Sequence, residues 1–161
     1  MPLTISLKAV SLKAFFENPI FLSAVSSWFI AQVLKAAVIT LSRKRSVREI
    51  VETIIWRTGG MPSSHSALVS SMAASVAFLE GIQSNLFVVS FFVALIVMRD
   101  AMGVRRSSGL QARTLNSLGK QMVDQMDVDF HPVKEVHGHA PLEVVLGSLL
   151  GIFIAAAYAL L

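Results

Sequence analysis

The sequence predicts an all-α integral membrane bundle of about four transmembrane helices, and three observations carry that reading. Of its 161 residues, 54% are hydrophobic and only 15% are charged, with a mean hydropathy of +0.66, well outside the balance of a soluble domain. Four apolar stretches approach the roughly 20 residues a helix needs to cross hydrocarbon. The basic residues, which leave a net charge of +4, gather in the segments between those stretches.

Taken in chain order, residues 1–17 come first. Leu3, Leu7 and Val10 recur at helical spacing beside Lys8 and Ser11, which predicts an amphipathic helix lying on the membrane surface. This stretch lacks a basic start, a continuous apolar run and a small-residue cleavage site, so no cleavable signal is expected. Asn18 and Pro19 suit an N-cap and first helical residue for a span over Pro19 to Leu41.

The second span is expected over Ser64 to Gly81 and the third over Ser84 to Met98, which is short unless it extends through Arg99 and Asp100. A fourth runs from Pro141 to Leu161. Before it, Leu115, Leu118, Met122 and Met126 recur three or four apart beside Lys120, Asp124 and Asp127, which predicts an amphipathic insertion over 107–130. No internal repeat breaks the chain, and one membrane domain over 1–161 is the expected organisation. Cysteine is absent, which excludes disulfides, thiolate metal sites and cysteine nucleophiles.

Alternating four spans places 42–61 and 102–140 on one side. Arg43, Lys44, Arg45, Arg48 and Arg57 lie in the first segment, and Arg105, Arg106, Arg113, Lys120 and Lys134 in the second. The positive-inside tendency makes that side cytoplasmic. A small multispan chain of this kind suits a bacterial inner membrane.

Three constellations carry chemistry. In "RTGGMPSSHSALVSS", Ser63 or Ser64 can cap a helix whose first backbone N–H groups lack intrahelical partners. Such an end attracts anions, and Gly59 and Gly60 allow a ligand to approach while His65 projects from the first turn. The same residues also fit a loop and a capped helix whose small side chains favour close packing in lipid.

In "KEVHGHAPLEVVLG", His139 and Glu143 are four apart, so a carboxylate can fix one imidazole nitrogen and leave the other as nucleophile or base. Glu143 equally suits a first-turn acid after Pro141, and His137 with His139 lacks a third metal ligand at recognised spacing. In "VMRDAMGVRRSSG", Arg105 and Arg106 could clamp phosphate oxygens with Asp100 orienting one of them, or serve as interfacial anchors. Lys35, inside the first span, needs a partner, an anion or a route to the interface. Under the four-span arrangement Lys35, His65, Arg105, Arg106, His139 and Glu143 all fall near the same ends of the helices.

The blocks "GGMPSSHSALVSS", "DAMGVRRSSGLQA" and "GHAPLEVVLG" resemble the divergent branch of the type 2 phosphatidic acid phosphatase superfamily, related to acid phosphatases and vanadium-dependent haloperoxidases. The resemblance covers roughly Gln32 to Gly151. It implies a membrane-embedded lipid phosphatase, with His139 as the nucleophile forming a phosphohistidine, Glu143 as its orienting partner and His65 as the acid for the leaving alkoxide. Lys35, Arg105, Arg106 and the backbone near Ser64 would bind the phosphate, with no metal and no cofactor.

The chain departs from the wider pattern at several places. Ser64 stands for glycine, Glu143 for aspartate, Val133 where an arginine precedes the histidine, and Ser42 where an arginine follows the lysine. The expected partners are a lipid phosphate and the bilayer, with no nucleic acid. Small-residue faces such as Ser70, Ala74 and Ala77 leave a homo-oligomer open.

The competing reading is a noncatalytic protein that binds phospholipid headgroups or scaffolds a partner. Membrane burial disfavours a haloperoxidase. Ionisable residues gathered at one face disfavour a channel or transporter.

Overall fold

The computed structural model describes residues 12–42, 60–126, 128–135 and 138–161, apart from the side chains of Ile39 and Ser42. They form α1 (Leu12–Phe16), α2 (Pro19–Ser42), α3 (Ser64–Glu80), α4 (Asn85–Met102), α5 (Val104–Met126) and α6 (Pro141–Leu160). Most of the expected N-terminal surface helix, and the basic residues of 43–57, lie outside the described residues.

Helix starts follow the side chains available. Asn18 Oδ1 accepts the Ile20 N–H at 2.9 Å and opens α2. Ser84 Oγ accepts the Phe87 N–H at 3.1 Å and opens α4. Between them α3 stops at Gly81, whose φ of +86° suits a residue without a Cβ.

Among the described residues, three stretches are long and apolar enough to cross a membrane: Pro19–Val38, Asn85–Met126 through its apolar α4 part, and Pro141–Leu160. The remaining long helix, α3, has 17 residues and packs against α2, α4 and α6. Its composition explains that central position. Serine and alanine leave little side chain between backbones, so Ser64, Ser66, Ala67, Ser70, Ser71 and Ser75 are all buried under neighbouring helices. Large apolar side chains point the other way: Phe29 on α2, Ile96 on α4 and Phe153 on α6 are exposed to the surroundings that lipid provides.

Two seams hold α3. Along α6, Gly147 lies against the Ser63 carbonyl and Gly151 against the Ala67 carbonyl, so close that a Cβ on either glycine would collide with α3 backbone. The two helices run parallel, and both therefore begin at the same end of the bundle. Along α2 the contacts are hydroxyls. Ser23 Oγ and Ser75 Oγ are 2.6 Å apart, and Ser27 Oγ donates to the Ala67 carbonyl at 3.1 Å. At the far end Ser26 Oγ meets Tyr158 Oη at 2.8 Å. In an apolar setting such internal hydrogen bonds satisfy groups that lipid cannot.

The third span is longer than its apolar core suggested, because Arg99 and Asp100 form the last turn of α4 instead of following it. After Gly103 the chain turns into α5, which begins at Val104, three residues earlier than the expected insertion, and ends at Met126. Leu115, Leu118, Met122 and Met126 are exposed along one side of α5. The returning chain covers another side. Phe130 lies over Gly119, Asn116 bonds both the N–H and the carbonyl of Val133 at 2.8 and 2.9 Å, and Arg113 meets Glu135 at 3.3 Å. That strap returns the chain to the start of α6.

Candidate functional site

The site is assembled where α3 and α6 begin and α4 ends. Ser63 caps α3 by accepting the Ser66 N–H, and its own N–H donates to the Glu143 carbonyl at 2.9 Å. The glycine seam and this backbone bond set the first turns of the two helices side by side. Their free N–H groups and the positive ends of their dipoles point the same way.

His139 is fixed from three directions. Gly138 lies directly on the Arg106 backbone, leaving no space for a side chain there. The His139 N–H donates to the Ala101 carbonyl at 3.0 Å, tying it to the end of α4. Nδ1 stands 2.9 Å from Glu143 Oε2, one helical turn away. The same carboxylate oxygen accepts the Ala140 N–H at 3.2 Å. A carboxylate accepts hydrogen bonds, so Nδ1 is the donor in this contact and Nε2 is the ring nitrogen outside it. The ring is 4% exposed, which holds it in one orientation.

Further basic side chains lie at the same end of the bundle. Lys35, 1% exposed near the end of α2, is attracted to the Glu143 carboxylate. Gly60 lies against its stem, where a Cβ would come 3.5 Å from Lys35 Cγ, and a φ of +95° reserves that position for glycine. His65 projects from the first turn of α3 into the combined field of Arg105, His139, Lys35 and Asp100. Arg105 Nε donates to Asp100 Oδ2 at 2.6 Å. Ser64 is buried beside Ser63 at the helix start.

Among the described residues, Lys35, Ser64, His65, Asp100, Arg105, Arg106, His139 and Glu143 therefore sit at one end of the bundle, although they differ in exposure. His139 and Lys35 are buried and Glu143 is half-buried, while His65 is exposed on the first turn of α3. Arg105 is held at the edge of the site by Asp100, with both side chains more than one-third exposed. Arg106 contributes backbone against Gly138, and its side chain is exposed.

The sequence reading missed the parts that place these groups. Gly147 and Gly151 form the seam, and their four-residue spacing on an apolar helix was the available signal. Gly138 and the Asn116 bracket join positions distant in sequence, and no local pattern marks them.

A buried imidazole bonded to a carboxylate, with a lysine, an arginine and a second histidine at the same end of the bundle as two helix starts, belongs to a helical membrane protein. The class is narrower than that. Residues 16–154 match the Divergent PAP2 family, and the chain belongs to it. It is also 38% identical over 151 residues to the "Uncharacterized membrane protein YuiD" of Bacillus subtilis (strain 168), covering 86% of this chain and 92% of that protein. No solved structure matches the chain.

Proposed function

We propose that this chain is a phosphatase of the bacterial inner membrane that hydrolyses a lipid phosphomonoester or pyrophosphate through a phosphohistidine, with its site on the cytoplasmic face. The observation that carries the reading is the His139–Glu143 pair, with Nδ1 engaged at 2.9 Å and Nε2 outside that bond, at the end of the bundle that also holds Lys35 and His65. Family membership agrees with it.

In this reading Nε2 of His139 attacks phosphorus. A P–N bond forms as the ester or anhydride P–O bond breaks, and the departing oxygen keeps the bonding electron pair and takes a proton from His65, which enters this step as the imidazolium and leaves it neutral. Glu143 stabilises the imidazolium character that develops on His139. Water then attacks the phosphohistidine and gives its proton to His65; the P–N bond breaks, releasing inorganic phosphate and restoring neutral His139. Phosphoryl transfer depends mainly on position and on positive charge around the equatorial oxygens, which Lys35, Arg105, Arg106 and the N–H groups near Ser64 provide. The scheme calls on no metal.

The test is phosphate release by detergent-purified protein from phosphatidic acid, phosphatidylglycerophosphate and isoprenyl mono- and diphosphates, with His139→Ala alongside. Release lost in the folded variant is expected. Saturable lipid binding with no release from any substrate would replace this reading with a noncatalytic headgroup binder.

A further inference from the structure

An apolar groove of about 610 Å³ runs between α4 and α6 on the outside of the bundle. Its walls are Leu95, Met98 and Met102 on one side and Val144, Val145 and Leu149 on the other. From Leu95 to Met102 the helix rises roughly 10 Å, so the groove continues for about two turns. The one hydroxyl in the walls is Ser148, and it is already committed, to Met98 Sδ at 3.1 Å and the Val144 carbonyl at 2.9 Å. No wall side chain below the rim calls for water or a polar ligand.

The groove ends beside the backbone that holds His139. Met102 follows Ala101, whose carbonyl holds the His139 N–H, and Pro141 closes the same end two residues beyond His139. Arg99 stands at this rim and also lines the polar elbow between α4 and α5, beside Asp100 and Ser107. The surface thus passes from hydrocarbon-like walls to Arg99 at the end where Met102 and Pro141 flank the His139 backbone. That sequence matches a lipid phosphate, with its chain below and its phosphate above, and not a polar ligand or a uniform apolar helix.

From the apolar walls, the Arg99 rim and the adjacency of the groove's end to the His139 backbone, we infer that the α4–α6 groove holds the hydrocarbon chain of the substrate whose phosphate meets His139. The inference rests on the phosphatase reading for its choice of ligand and adds the chain-binding surface. Val145 and Leu149 are then specificity-determining residues.

Two measurements test it. First, kcat/KM is compared for a long-chain phosphomonoester in mixed micelles and a short-chain, water-soluble analogue. Val145→Trp and Leu149→Trp fill the groove and should lower the long-to-short ratio by about tenfold or more, whereas Phe153→Trp, farther along α6 and exposed, should leave that ratio unchanged. An unchanged ratio in both groove variants would overturn the inference.

The second readout does not depend on turnover. A long-chain lipid phosphate carrying a photoreactive group in its chain is crosslinked to wild-type and His139→Ala protein. Crosslinks on 95–102 and 141–149 in both proteins are expected, and crosslinks elsewhere would refute the groove. Groove crosslinks in a wild-type protein that releases no phosphate would refute the phosphatase reading and leave the chain site standing.

Discussion

His139 Nδ1 and Glu143 Oε2 stand 2.9 Å apart across the first turn of α6, with the histidine almost wholly enclosed. The carboxylate therefore decides which ring nitrogen holds the proton. Glu143→Gln keeps the size and can still bond the ring, but its amide can donate to Nδ1 and shift the proton to Nε2. Turnover is expected to fall by about 10²–10⁴-fold with little change in KM. Steady-state kinetics on folded protein checks this, and retained turnover would remove Glu143 from the mechanism.

The glycine seam gives a prediction whose sign is diagnostic. In an exposed helix interior, Gly→Ala stabilises by about 1 kcal/mol. Gly147 and Gly151 face α3 backbone instead, and a Cβ there collides with the Ser63 or Ala67 carbonyl. Gly147→Ala and Gly151→Ala should each destabilise by about 1–3 kcal/mol, measured by unfolding in detergent. Gly147→Ala should also lower activity, because it separates the two helix starts.

At the edge of the site, Asp100 and Arg105 form an exposed ion pair, 2.6 Å between Oδ2 and Nε. Such pairs contribute about 1 kcal/mol or less to stability. Arg105→Ala and Asp100→Asn should thus leave the unfolding midpoint nearly unchanged. If Arg105 meets the phosphate, Arg105→Ala lowers kcat/KM by about 10²-fold, while Asp100→Asn, acting only through the arginine, costs much less. Equal losses would contradict that division.

The helices were legible in the sequence because apolar runs and capping residues are local signals. Ser84 and Asn18 cap where their side chains allow. The end of α4 was less legible. Arg99 and Asp100 interrupt the apolar pattern, yet both remain helical because a span's last turn can lie at a polar boundary. Similarly, motif and spacing marked His65, His139, Glu143 and Lys35, which the fold brings to one end of the bundle. They did not mark what holds these residues in place: the seat of Gly138 on Arg106 and the Asn116 bracket are tertiary contacts.

Sidedness is testable because the natural chain has no cysteine. Gln83→Cys lies in the turn between α3 and α4, and Gln121→Cys lies on α5; both positions are exposed. With a membrane-impermeant maleimide, Gln83→Cys should label in intact cells and Gln121→Cys only after the membrane is opened. The reverse pattern would put the site outside.

The most direct measurement is acid-sensitive, alkali-stable phosphate on the protein after brief exposure to a labelled lipid phosphate and rapid quenching. The account predicts label on His139, absent in His139→Ala and increased in a His65 variant that still attacks but hydrolyses the intermediate slowly. Phosphate release at the wild-type rate from the His139→Ala protein, or label on another residue, would contradict it.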